Sequence, residues 1–437
     1  MAKKMLFLFV LLLSLTGMLK AQVTTAGMSG KVMADEESVI GATVVAVHEP
    51  SGTSYGTVTN VDGRFSLQGM RSGGPYKVTV SYIGYQTAIY TGIQLQLGET
   101  YSLNVTLHEA SELLGEITIT ASKSKFSAEK TGATTNISSE QLTTLPSINR
   151  SISDFTRISP YASGNSFGGR DGRSNTFTVD GANLNNNFGL SSGLPGGGNP
   201  ISLDAIDEVQ VVIAPYDVRQ ANFIGAGINA ITKSGTNAYR GSAYMYFNNE
   251  VMRGNKIGDT DFGARAEESK TVYGATFGGP IIKDKLFFFA NVEYEKSPQQ
   301  VITWRAAKEG ETPNNSTISR TTEADLAEFS QILKGKYGYN TGSFTDFPAD
   351  VTNLKLLGRI DWNINQGNKL SVRYNFTNNK TWEAPNGSSG NTGYRLAYNR
   401  VSAYSMSYAN SCYSLQNIVN SATAELNSRF SSHIFNQ

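Results

Sequence analysis

Leu370-Ser371-Val372-Arg373-Tyr374-Asn375-Phe376-Thr377 alternates apolar and polar side chains without a break. Successive side chains of a β-strand point to opposite faces, so Leu370, Val372, Tyr374 and Phe376 share one face and Ser371, Arg373, Asn375 and Thr377 the other. The same two-residue period recurs upstream. Gly358, Ile360, Trp362 and Ile364 oppose Arg359, Asp361 and Asn363; Ala290, Val292 and Tyr294 oppose Asn291, Glu293 and Glu295. Residues 273–282 and 285–295 form another such pair, joined through Lys283-Asp284 as a tight turn. A soluble sandwich with one buried face alternates as well. Long alternating segments separated by turns are also the signature of membrane β-strands, and an Arg or Lys facing lipid at the bilayer midplane costs about 2–4 kcal/mol. On that reading Arg359, Asp361 and Arg373 face a wet or protein-filled lumen, and Trp362, Tyr374 and Phe376 face lipid or its interface. A mean hydropathy of −0.27 is compatible with this, because only half of each strand is apolar.

The connections support a barrel wall. Residues 297–352 form a long polar stretch with a short helix expected over 323–333, and residues 387–393 mark a second loop. Outer-membrane barrels keep their turns short on the periplasmic side and long outside, which places both stretches outside. Residues 238–437 hold about eight strands at roughly 9–11 residues per span. Eight strands close only a narrow barrel filled by its own side chains. The chain ends in Ser431-Ser432-His433-Ile434-Phe435-Asn436-Gln437, as if inside a strand and without a terminal aromatic. These features lead us to expect an incomplete antiparallel transmembrane barrel, the N-terminal part of a longer protein.

The other end of the chain carries an address. Lys3 and Lys4 precede an apolar run over 5–13 and a polar tail to Ala21, the layout of a secretory signal peptide spanning residues 1–21. Leu19 departs from the small-residue ideal at its cleavage site. The run is far shorter than the roughly 20 residues a membrane helix needs. Composition narrows the rest. A net charge of +1 over 37 basic and 36 acidic residues gives no footprint for nucleic acid. A single cysteine, Cys412, and three scattered histidines, His48, His108 and His433, supply no metal-ligand spacing. Neither a cofactor nor a metal is expected.

Between these ends lie three further segments. Residues 22–108 hold about seven short β-branched and aromatic runs with turn residues between them, among them Asn60-Val61-Asp62-Gly63, where Asp-Gly marks a tight turn. This reads as a β-sandwich. Residues 109–128 are a linker containing Glu116-Ile117-Thr118-Ile119-Thr120, a β-prone run in charged surroundings, suited either to an ordinary strand or to joining a sheet edge by main-chain bonds. Residues 129–237 are mixed α+β and glycine-rich, with Ser138-Ser139-Glu140-Gln141 as a capping box and strands over 176–181 and 208–213.

Two enzyme-like strings occur there. Gly164-Asn165-Ser166-Phe167-Gly168 fits GxSxG, but a nucleophile elbow needs a strand before it and a helix after it, and Pro160 and Gly169-Arg170 flank it instead. Gly225-Ala226-Gly227-Ile228-Asn229-Ala230 fits GxGxxA, but β-branched residues follow where a dinucleotide site needs a helix. No catalysis is expected.

Gly41-Ala42, Thr57 to Phe65 and Val80-Ser81-Tyr82-Ile83-Gly84-Tyr85 resemble the carboxypeptidase regulatory-like domain, a transthyretin-like seven-strand sandwich that is not itself a peptidase. Glu116 to Thr120 resembles a TonB box. Phe177-Thr178-Val179-Asp180-Gly181, Ile206-Asp207-Glu208-Val209-Gln210-Val211 and residues 225–237 resemble, in order and spacing, the plug domain of TonB-dependent outer-membrane transporters, in the Oar-like branch. The resemblance implies a roughly 22-stranded barrel enclosing the plug, in the outer membrane of a Gram-negative bacterium, with the N-terminal domains in the periplasm. It implies contact of TonB with Glu116, Ile117, Thr118, Ile119 and Thr120, and movement of the plug to admit a ligand. Polar plug loops put Arg170, Asp171, Arg173, Asn183, Asn185, Asn186 and Asn187 forward as ligand-side residues, with loop solvation or plug-to-wall bonding as their alternative role. The ligand is small or oligomeric: glycan, peptide, siderophore or cobalamin. A surface lipoprotein partner fits the same architecture. So does an Oar-like structural or adhesive role without import.

Overall fold

The computed structural model describes residues 23–34, 37–109, 117–120, 133–147, 150–185, 199–215, 217, 220, 221, 223–261, 263, 268–299, 301–314, 317–385, 401–431 and 434–436. The expected signal peptide, Glu116, Asn186 and Asn187 lie outside the described residues.

The first layer pair is a sandwich. Its strands are β1 (Ala26–Ala34), β2 (Glu37–Ser38), β3 (Thr43–His48), β4 (Thr53–Val58), β5 (Arg64–Met70), β6 (Gly73–Ser81), β7 (Ala88–Leu95), β8 (Thr100–Ser102), β9 (Val105–Leu107) and β10 (Ile117–Thr120). One sheet runs β2-β1-β5, with β8 and β9 parallel to β1; the other runs β10-β7-β6-β3-β4. Alternation places Val44, Ala46, Tyr76, Val78 and Val80 inside, packed on Met28, Phe65 and Leu67 of the opposite sheet. The Asp62-Gly63 turn forms as its residues dictate. Gly63 adopts φ +70°, its N–H donates to the Asn60 carbonyl at 2.9 Å, and the Asn60 side chain accepts from the Asp62 and Arg64 amides. Tyr82, on the same alternating face as Val78 and Val80, is not in the core. β6 ends at Ser81 because the chain reverses at Gly84 (φ +85°), so Tyr82 lies on the turn against Tyr85.

The second unit is built on β11 (Ala133–Ser138), β12 (Ala162–Ser163), β13 (Ser166–Phe167), β14 (Thr176–Val179), β15 (Ala182–Asn183), β16 (Ile206–Ala214) and β17 (Gly227–Thr232), with the sheet order β11-β16-β17-β14-β15. Short helices Ser139–Thr144 and Ile152–Thr156 flank it. Ser138 caps the first with the reciprocal Gln141 bond that its sequence announces. Ile137, Phe155, Phe177, Val209, Val211 and Ile228 form its core. Ser166 sits in the β12–β13 hairpin and the Gly225 string leads into β17, so neither enzyme-like string has the elbow or helix it would need.

The third unit is one antiparallel sheet of β18 (Arg240–Asn249), β21 (Ser269–Ile282), β22 (Leu286–Lys296), β25 (Thr352–Asn363), β26 (Asn368–Glu383), β27 (Tyr413–Arg429) and β28 (Phe435–Asn436), paired in that order. It is open among the described residues, with β18 and β28 at its edges and seven strands where the sequence suggested about eight. Small pairs β19 (Lys256–Ile257) with β20 (Thr260–Asp261), and β23 (Arg305–Ala307) with β24 (Ile318–Thr322), decorate its loops. The alternation sorts as expected. Ile360, Trp362, Val372 and Tyr374 are 47%, 45%, 44% and 47% exposed, whereas Arg359, Asp361 and Arg373 are 8%, 4% and 6%.

The helix in the long β22–β25 loop spans Glu323–Tyr337, a turn beyond the expected stretch. Gly335 does not stop it; the left-handed Gly338 does, returning its N–H to the Lys334 carbonyl. Tight turns at 283–285 and 364–367 lie at one end of the sheet and the β22–β25 connection at the other. The sandwich sits at the tight-turn end: Asn237 N–H donates to the Pro50 carbonyl, Asn363 to Thr53 Oγ1, and the Lys369 ammonium lies 3.2 Å from the Tyr55 ring centre. Outer-membrane barrels keep their tight turns on the periplasmic side, the side on which the sequence leads us to expect the sandwich.

Candidate functional site

The chemistry-bearing residues gather where the open sheet (called the wall), the second unit (called the plug for its place against that sheet) and the sandwich meet. Gly235 marks the hand-over from plug to wall: a Cβ there would lie 2.5 Å from the Phe288 carbonyl oxygen and 2.7 Å from that of Gly279, so only glycine passes.

Above this point six alternating charges run through the interior. Glu425 on β27 accepts from Arg373 on β26 at 2.9 Å, and Arg373 stands 3.7 Å from Asp180 of the plug. Arg359 on β25 stands 3.8 Å from the same Asp180 oxygen, donates to the Thr232 carbonyl at 2.6 Å, and forks onto Asp361 at 2.8 and 3.0 Å. Asp361 also meets Arg71 of the sandwich at 3.1 Å. The local sequence explains Asp180. It ends β14 in a Val-Asp-Gly turn with φ +48°, a conformation Asp tolerates, and its carboxylate accepts from the Thr232 amide (3.0 Å) and hydroxyl (2.6 Å) on the neighbouring β17. Buried charges persist only when paired and hydrogen-bonded, and here each wall charge is neutralised by a plug or sandwich group or by its own strand neighbour. A second link is Ser202 of the plug, which donates to Glu293 at 2.8 Å; Glu293 also receives Lys355 and Tyr244, each at 2.8 Å. The wall's inner polar face is therefore filled with protein.

The sandwich grips the plug by a backbone contact. The Leu97 amide donates to both Glu208 oxygens at 3.0 and 3.1 Å, and its carbonyl accepts from Gln210 (2.6 Å) and Asn136 (3.2 Å). Glu208 and Gln210 share one face of β16, with Asn136 opposite Gln210 on β11. Burial without an adjacent cation pushes the Glu208 carboxyl up to about 8; the Leu97 amide and Ser72 oppose this, and Asp207 and Glu99 reinforce it. A pKa raised on docking means that docking is strongest below the ordinary carboxyl range and is lost as pH rises through about 8. We therefore expect hydrogen exchange at the Leu97 amide to accelerate between pH 6 and pH 9, beyond the intrinsic rate, on the order of tenfold or more for a shift of this size. Glu208→Gln keeps an acceptor for Leu97 and should flatten that extra dependence; an unchanged profile in Glu208→Gln would contradict the assignment.

The sequence-derived candidates fall in two places. Ile117, Thr118, Ile119 and Thr120 form β10, parallel to β7. On the plug, Asp171 caps the 3-10 turn Gly172–Ser174 and is bonded to the Arg173 amide and guanidinium at 2.8 and 2.9 Å, with Arg170 exposed beside them. Asn185 accepts from the Phe177 amide at 2.6 Å and donates to the Asn175 carbonyl at 3.2 Å, so its carboxamide is committed to holding the plug hairpin against this loop. Asn183 is exposed on β15 and accepts the Asn185 amide. The loop at 170–175 and Asn185 thus come together through Asn175. Sequence reasoning missed Asp180, Glu208 and Leu97. The polar positions Glu208 and Gln210, alternating with Val209 and Val211 on a plug strand, were the available signal.

Two of the three units, the sandwich and the open sheet, have family counterparts. Residues 27–108 match the carboxypeptidase regulatory-like domain family, and residues 231–437 match the outer membrane beta barrel domain family. The chain is 25% identical over 344 residues to the TonB-dependent transporter Oar of Myxococcus xanthus, an alignment that takes in 74% of this chain and 30% of that protein. The chain thus spans about a third of its curated relative's length. Among solved structures, the siderophore receptor PirA of Acinetobacter baumannii aligns at 17% identity and a TM-score of 0.42 over 68% of this chain and 38% of its own. The outer membrane transporter YddB of Escherichia coli aligns at 13% identity and 0.44 over 68% and 37%. The chain is an outer-membrane protein in which a regulatory-like sandwich precedes barrel strands, and it is a relative of TonB-dependent transporters.

Proposed function

We propose that this outer-membrane chain is part of a receptor that imports a ligand when TonB, engaging Ile117 to Thr120, draws on the plug. The observation that carries the reading is the charge chain from Glu425 to Arg71, since a wall whose inner charges pair with a plug belongs to a gated rather than an open pore. Those contacts are polar and hydrogen-bonded, which suits a plug that has to shift, and they lie beside a smaller apolar contact in which Phe289 and Leu357 of the sheet join the plug core. Ligand contact falls to Arg170, Arg173 and Asn183 on exposed plug loops; Asn185 serves the hairpin instead. No step of this function requires a reacting side chain, so the protein acts as a receptor rather than as an enzyme.

Replacing residues 117–120 by Gly-Ser-Gly-Ser removes the β-propensity that strand addition uses. Capture of the intact outer-membrane protein by the purified periplasmic domain of TonB should then fall at least tenfold, and energised uptake should fall with it. Undiminished capture would remove TonB from this segment. Unchanged uptake alongside lost cell attachment would favour the adhesive role.

A further inference from the structure

We infer that the regulatory-like domain stores the TonB-contact strand on the edge of β7, and that TonB receives this strand only after it leaves that edge. The inference rests on the partner reading above and adds a competing site within the same chain.

The pairing is direct. Ile117, Thr118, Ile119 and Thr120 stand opposite Ala88, Ile89, Tyr90 and Thr91 in parallel, unbroken register. β7 would otherwise be the terminal strand of its sheet, because the order is β10-β7-β6-β3-β4. The opposite edge is already occupied: β4 meets the barrel turn through Thr53 with Asn363 and through the Ser54 carbonyl with Lys369. An uncovered strand edge presents unpaired amides and carbonyls to any extended peptide, so β7 is the edge of this sheet left for such a peptide, and the chain's own segment fills it.

The path of the chain favours this occupant. Glu109 bridges Tyr85, and the Gln86 amide donates to the His108 carbonyl at 2.8 Å. Glu109 therefore stands beside the start of β7, and seven residues separate it in sequence from Ile117, which is paired with Ala88. A tether this short holds the strand at an effective concentration on the order of millimolar. Strand addition to TonB would draw on main-chain groups of the same four residues. Pairing with β7 takes one edge of this terminal strand, so strand addition to TonB through that edge competes with storage, and the stored state then lowers the apparent affinity for TonB by the fraction of time the strand is docked.

The test locks the strand. Thr91→Cys/Thr120→Cys joins register partners, and Tyr90→Cys/Ile119→Cys is a second pair, each combined with Cys412→Ser. Neighbouring strands lie within disulfide reach. Cross-link formation is read by mass spectrometry of the intact protein without TonB, and capture by the periplasmic domain of TonB is measured before and after reduction. The expected result is a cross-link in the resting protein, capture reduced at least tenfold, and recovery on reduction. Absence of a cross-link at both pairs overturns the inference. So does a cross-linked protein captured as well as the reduced one while the Gly-Ser-Gly-Ser replacement is inactive; in that case the inference falls and the partner reading stands. Capture that survives the Gly-Ser-Gly-Ser replacement overturns both.

Discussion

Asp180→Ala will detach the plug from the wall at its most charged point. The substitution removes the carboxylate facing Arg359 and Arg373 and leaves the Thr232 amide and hydroxyl without their acceptor. Breaking a buried ion pair from one side costs about 3–5 kcal/mol, because the remaining charge stays buried. Arg359 keeps Asp361 and Arg373 keeps Glu425, so we place the loss at about 3 kcal/mol, the lower end of that range. Amide exchange of β14 and β17 should accelerate by about two orders of magnitude. Asp180→Asn, which keeps an acceptor for the Thr232 amide, should fall between wild type and Asp180→Ala. Equal exchange in all three proteins would mean that these charges do not hold the plug.

The second large effect lies on the opposite face of the same strands. Ile360 is paired across the sheet with Phe288 and Val372 and points outward. Ile360→Arg places a guanidinium among these apolar side chains and should cost about 2–4 kcal/mol if the position lies near the bilayer midplane, less toward an interface. Ile360→Leu should cost less than about 1.5 kcal/mol. The two variants are compared by their urea midpoints after insertion into lipid vesicles. An Arg variant as stable as the Leu variant would mean that Ile360 meets water.

These two predictions draw on different amounts of sequence information. The outward face was legible because a period of two is a property of each strand by itself: Val372 and Arg373 are sorted by their immediate neighbours. That Arg373, Arg359 and Asp361 would point inward followed from the energy of charge in lipid. Their partners did not follow. Arg359 bonds Thr232 across 127 positions and Arg373 reaches Asp180 across 193, and in sequence Asp180 is indistinguishable from an ordinary Asp-Gly turn residue. The Leu97 contact was still less visible, since it uses the leucine's backbone and leaves no residue-type signal on the sandwich side. Asn185 is the reverse case. A run of asparagines on a glycine-rich loop suggests ligand bonding, but the amide of Phe177, at the end of a buried strand, needs an acceptor, and Asn185 provides it. Ile117 to Thr120 was legible as a strand in search of an edge, though not as one that finds it on β7.

The claim beneath all of this is that one face of the sheet meets lipid and the other meets the plug. Spin labels placed singly at 370, 371, 372, 374, 375, 376 and 377 in a Cys412→Ser protein, in outer-membrane vesicles, test it most directly. The account predicts high collision rates with oxygen at 370, 372, 374 and 376, and low rates at 371, 375 and 377, with a water-soluble nickel reagent excluded from the even positions. A flat profile, or even positions open to the nickel reagent, would contradict it.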